Sequence, residues 1–189
     1  AMAVGFTVDE LKDGGYSAKD IKGHAEWDVY LLKDLKNSAF SAKELKNSGV
    51  SATLLKAVGF LCKELEAAGF RSKELRTAGF TAADLRTVGF KEGELRAVGY
   101  SAGELLAAGF SVPELKLCGF SAQELKASNI PASMLKESGF TAGQLKSEGF
   151  MAKDLTAGFT PTELKAAGYV ALELHEGGVS IKELKAIGY

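Results

Sequence analysis

The sequence predicts an all-α superhelical solenoid of about eighteen tandem decapeptide repeats, each one short capped helix. Three observations carry that prediction. An aromatic or branched apolar residue recurs at intervals of ten, a Leu or Ile follows it five residues later, and a glycine closes nearly every unit. All 11 Phe and all 5 Tyr fall in the first column, which runs from Phe6 to Tyr189, with Val50, Ile130 and Val179 as its aliphatic members. The second column runs from Leu11 to Leu184. Two intervals depart from ten: a fourteen-residue unit, 16–29, and a nine-residue unit, 150–158. Residues 5–189 therefore read as a single array, and residues 1–4 as a tag remnant or disordered start.

The unit Phe40 to Gly49 shows how each element is specified. Ser41 precedes Glu44 by three residues, the spacing of a capping box in which hydroxyl and carboxylate satisfy two donors left free by the first helical turn. Phe40 before the cap and Leu45 at the fourth helical position have the spacing of a hydrophobic staple. Gly49 supplies the stop, because glycine enters the left-handed region without a Cβ penalty. Substitutions keep the pattern. Asn129 stands at a stop position and tolerates the same backbone region, while Pro113 and Pro161 lie in first turns and Pro131 at a cap. Helices of about seven or eight residues are too short to stand alone in water, so stacked neighbours must stabilise them.

Within a unit, positions such as Phe80, Ala82, Leu85 and Val88 share one apolar face. An acid precedes the second-column residue in fifteen units and Lys or Arg follows it in fourteen, which reads as a solvated face. Lys146→Ala is on this reading nearly neutral, whereas Leu95→Ala removes core. Two rival folds fail. A pentapeptide β-helix needs small interior residues where this chain has Lys19, Lys33, Lys43, Lys63, Lys73, Lys153 and Lys182, which an interior cannot bury unpaired. One continuous helix is disfavoured by a glycine every ten residues. The period also differs from the 33- to 47-residue units of ankyrin, tetratricopeptide and HEAT arrays.

Composition narrows function. With 24 acidic and 23 basic residues there is no net positive field, so nucleic acid is not an expected partner. No apolar run reaches the length of a membrane span, and no secretory leader pattern is present at the start. Cys62 and Cys118 lie far apart and read as free thiols. These features predict a soluble, intracellular, cytoplasmic protein. His24 and His175 are the only imidazoles, no phosphate-binding glycine loop occurs, and the acids recur too uniformly for a tuned catalytic pair. No catalytic, cofactor-binding or metal-binding residue is assigned.

Two irregularities remain as candidate partner sites. His24, Trp27 and Asp28 lie in the fourteen-residue unit, either as a recognition patch or as a longer helix whose Trp packs over one end. The slot two before the Leu lacks long cationic side chains mid-chain: Ala83, Gly93, Gly103, Pro113, Gln123, Ser133 and Gly143. Either neighbouring units touch there or an external partner docks. The expected function is a non-enzymatic scaffold or protein-binding solenoid. The alternatives are end-to-end self-association and, less favoured, an apolar-ligand carrier.

Overall fold

A computed structural model describes residues 6–23 and 27–189. Eighteen helices and no strand occur among these residues, which makes the fold an all-α repeat solenoid. The chain divides into two compact units, residues 1–98 and 99–189.

The first unit contains α1 (Val8–Asp13), α2 (Ala18–Lys22), α3 (Val29–Asn37), α4 (Ala42–Asn47), α5 (Ala52–Ala57), α6 (Cys62–Ala67), α7 (Ser72–Thr77), α8 (Ala82–Thr87) and α9 (Glu92–Ala97). Even-numbered helices pack on even, α2 on α4, α4 on α6 and α6 on α8, and odd on odd, α3 on α5 and α5 on α7. The second unit contains α10 (Ala102–Ala107), α11 (Val112–Leu117), α12 (Ala122–Ala127), α13 (Ala132–Glu137), α14 (Ala142–Ser147), α15 (Ala152–Leu155), α16 (Pro161–Ala166), α17 (Ala171–Glu176) and α18 (Ile181–Ala186). Here α10 packs on α12, α13 on α15, α15 on α17 and α14 on α16.

Most helices have six residues, shorter than the seven or eight expected, because the final residues of each unit are bonded into the cap. In α4 the Gly49 N–H reaches the Lys46 carbonyl at 2.9 Å and the Val50 N–H reaches that of Leu45 at 3.0 Å. That crossed pair is a Schellman motif, and it needs the left-handed φ of 86° that Gly49 adopts. At the helix start, the Ser41 N–H donates to Glu44 at 2.7 Å and the Glu44 N–H donates to the Ser41 hydroxyl at 3.3 Å. Both halves of the expected box are therefore present. Where Leu61, Arg71, Lys91, Met151 or Val170 replaces the hydroxyl, the carboxylate half survives, as in Leu61 N–H to Glu64 at 2.7 Å.

The second column forms the core: every member from Leu35 to Leu174 has at most 0 % exposure. The aromatic column lies beside it, Phe40, Phe70, Tyr100, Phe120 and Tyr169 among its buried members. Tyr30 corrects the sequence reading. It is 82 % exposed and lies inside α3, because Asp28, not a residue after Tyr30, caps that helix by accepting from the Leu31 N–H at 2.8 Å. Counted from Asp28, Leu32 takes the fourth helical position, Trp27 the place before the cap, and the insertion appears as a nine-residue helix. Phe6 and Tyr16 are also exposed rather than buried.

Ala39 occupies a stop position with φ 58°, where the other non-glycine example among the described residues is Asn129 at 55°. Left-handed backbone places a Cβ too near the carbonyl oxygen, so Ala39→Gly should stabilise the protein by about 1 kcal/mol. Chemical denaturation of the variant beside the parent checks this, and an unchanged midpoint would mean that the strain is relieved elsewhere.

Candidate functional site: cationic rungs and the grooves beside them

In most units the basic residue that follows the second-column Leu does not lie on a free solvated face. Lys36 donates to the Gly59 carbonyl at 2.7 Å and sits 4.7 Å from the centre of the Phe60 ring. Lys56 does the same with Gly79 at 2.6 Å and Phe80 at 4.4 Å, and Lys116 with Gly139 at 2.8 Å and Phe140 at 4.2 Å. Lys46 repeats it with Gly69 and Phe70, and Lys146 with Gly168 and Tyr169. Each of these cations reaches from one helix to the C-terminal end of its next-but-one neighbour. There it meets the carbonyls that carry the negative end of the helix dipole, and the face of the ring that staples the following helix.

This overturns the expectation that Lys146 is nearly neutral. Loss of a charge-assisted hydrogen bond and a ring contact at a partly buried site should cost about 1–2 kcal/mol in Lys146→Ala. Lys146→Arg should recover part of it. Equal, negligible losses in urea unfolding of both variants would return the lysine column to a solvated role.

The nine-residue unit alters the rungs around it. Lys126 bonds the Asp154 carboxylate at 2.6 Å while standing 4.7 Å from the Phe150 ring, and Lys136 bonds Glu163 at 2.8 Å. Thr156 stands where other units have the cation, and its hydroxyl donates to the Gly177 carbonyl at 2.8 Å. The hydrogen bond from Lys136, with those from the Thr160 N–H and hydroxyl, holds the Glu163 carboxyl down at about 2 against an ordinary 4.5. Burial pushes Asp154 upward, but the hydrogen bonds from Lys126 and the Met151 N–H outweigh it and leave that carboxyl lowered. A carboxyl depressed in the folded state contributes stability in full above its ordinary value and loses it as pH falls through the folded one. Melting temperature should therefore drop between pH 4.5 and about 2. Glu163→Gln should flatten that slope, and an unchanged profile would remove Glu163 from the account.

Surface grooves lie beside the rungs. One of about 390 Å³ is lined by Lys36, Phe40, Lys43, Phe60 and Glu64, and one of about 530 Å³ by Lys136, Phe140, Gly143, Phe159 and Glu163. A third, of about 470 Å³, runs past Lys12, Tyr16, Lys19, Phe40 and Glu44. The fourth, of about 520 Å³, is lined by Leu106, Phe110, Pro113, Ile130, Pro131 and Met134, with Glu137 at its wall and no cation.

The candidate residues fall in separate places. His24 lies outside the described residues. Trp27 is half-buried with Lys22 5.2 Å from its ring centre, and Asp28 is exposed and occupied as a cap. Ala83 and Gly93 are exposed at the second helical position of α8 and α9. Gly103 faces the Ser128 hydroxyl, and an added Cβ there would stand 3.4 Å from it. Gln123 donates to the Glu148 carbonyl at 3.0 Å. At these two positions neighbouring helices meet, whereas Pro113 and Gly143 line grooves. Cys62 is buried, and burial first, then the nearby Asp84 and Glu66 carboxylates, push its thiol up to about 11; Cys118 is half-buried and also unbridged.

Sequence reasoning missed the rungs and the fourth groove. A signal for the rungs was present: a column that needs only water would accept any polar residue, yet this one is basic in fourteen units. Among the described residues no helix is long and apolar enough to cross a membrane, and no group of three His, Cys, Asp or Glu could hold a metal ion. Residues 29–102 and 99–171 each match the family model of a decapeptide repeat region, together covering more than half of the chain. No curated protein and no solved structure matches it.

Proposed function

This chain belongs to the decapeptide repeat family, and we propose that it is a non-enzymatic, protein-binding scaffold. The observation that carries this reading is the fate of its reactive side chains. The acids bond the backbone at helix starts and the cations bond it at helix ends. The charged side chains of these two columns are largely committed to holding helices, and the grooves beside the rungs are surface that a partner could use. Repeat arrays use such surfaces to bind partners. An intracellular, cytoplasmic setting suits two unbridged thiols.

Sedimentation velocity over a hundredfold range of protein concentration tests the scaffold reading. A constant monomer mass is expected of it. Mass that climbs with concentration without a plateau would favour the rival, a structural protein that assembles end to end.

A further inference from the structure

The fourth groove differs from the others by a coordinated change at one rung. Leu106 stands in α10 where other units have the cation. Twenty-three residues on, at the stop position whose carbonyl a lysine usually bonds, is Asn129, and at the ring position is Ile130. Pro131 replaces the capping hydroxyl and Met134 the capping acid of α13, so that helix has no side-chain cap. The cation, the ring it would lie over and the capping acid are thus all absent here, while the backbone carbonyls at the stop position remain. At one other aliphatic member of the ring column, Val179, the rung position likewise lacks a cation: it is held by Thr156, whose hydroxyl bonds the Gly177 carbonyl.

We propose that this groove is a docking site for a partner protein segment that presents a basic side chain beside apolar ones. The inference rests on the scaffold reading and names its surface and the chemistry of its partner. The other rungs serve as the template. In the regular ones, as at Lys116, the space between one helix and its next-but-one neighbour takes a lysine whose ammonium lies over a ring and meets terminal carbonyls. In the Leu106 groove those carbonyls, at the end of α12, still present the negative end of a helix dipole. Glu137 adds a negative charge to the wall, and no lysine or arginine lines it. A cationic side chain from outside completes the rung. Leu106, Pro113, Ile130 and Met134 give its apolar neighbours a surface, and methionine at 41 % exposure suits a contact that must adapt to its partner. An acidic segment fails the first requirement and a wholly polar one the second.

The test uses three labelled ten-residue peptides, leucine–lysine, leucine–glutamate and serine–lysine copolymers, titrated with the full chain by fluorescence anisotropy. The variant is Leu106→Lys, which returns the repeat's own residue, fills the groove from within and should leave the circular dichroism and melting curve intact. The expected result is binding of the leucine–lysine peptide to the parent, weakened about tenfold or more by Leu106→Lys. Lys153→Ala, an exposed change outside the groove, should leave that binding unaltered. Leucine–lysine binding that survives Leu106→Lys, or none at all to the parent, overturns the groove, and equal binding of the serine–lysine peptide overturns its apolar part. Sedimentation, which judges the scaffold reading, is untouched by any of these outcomes.

Discussion

Gly158→Ala is expected to be among the most damaging single substitutions in the second unit, at about 3 kcal/mol or more. By sequence Gly158 belongs to the stop column, before Phe159, but its φ is outside the left-handed region, so conformation does not demand a glycine. Space does. A Cβ there would stand 2.4 Å from both the Ala132 carbonyl carbon and the Ser133 nitrogen, and 2.8 Å from the Ala132 oxygen. All three are backbone atoms, which cannot rotate away as a side chain would. Removing one residue from the unit 150–158 has drawn the end of α15 onto the first turn of α13. A methyl group would push the two apart and strain the Lys126–Asp154 and Lys136–Glu163 pairs beside them. Thermal unfolding of Gly158→Ala beside Gly49→Ala separates the causes. An added Cβ at Gly49 meets nothing within 4 Å, so that variant reports left-handed strain alone. If Gly158→Ala is the milder of the two, the close approach is not a constraint.

Leu95→Ala is expected to cost about 2–5 kcal/mol, the range of a fully buried large-to-small change. Leu95 has 0 % exposure and stands at the fourth helical position of α9, the one buried residue of that helix. Helices of six residues have almost no stability of their own, so the loss falls on the packing that holds them. Lys73→Ala, exposed in the first turn of α7, should stay within about 0.5 kcal/mol. Urea midpoints that fall together for the two would mean that the core and surface columns have been exchanged.

The elements that could be read from sequence are those whose contacts close within a few residues. Ser41 with Glu44, Phe40 with Leu45 and Gly49 with Lys46 all meet inside one unit, so spacing alone predicts them. The rungs join residues 22 to 28 positions apart. Pairing Lys36 with Gly59 requires knowing that a helix stacks on its next-but-one neighbour, which no local pattern states. Tyr30 went wrong for a related reason. Alignment on aromatic residues placed it in the staple column, while the cap that fixes the helix start is Asp28, with Leu32 four residues on. The groove at Leu106 was visible only as scattered substitutions, because Leu106, Asn129 and Ile130 become one place only after stacking. The small-residue slot was seen, but Gly103 and Gln123 proved to touch neighbouring helices where Pro113 lines an opening.

The next-but-one reach of each cation bears on how such a chain can lengthen or shorten. Suppose a whole decapeptide is deleted from within the first unit. Lys46 would then find another glycine and another ring at the distance it now spans to Gly69 and Phe70, since the repeats that follow within the first unit, ending in Gly79-Phe80 and Gly89-Phe90, offer the same pair. Helices beyond the deletion would exchange even and odd stacks, yet a cation brought against a regular unit would keep an equivalent acceptor. A deletion of five residues has no such outcome, because it sets a leucine where a ring should be. Copy number is thus free to drift in steps of one repeat while register is held, and the fourteen- and nine-residue units record what a fractional step requires: a longer helix capped by Asp28 in one case, and carboxylate partners with a glycine pressed against backbone in the other.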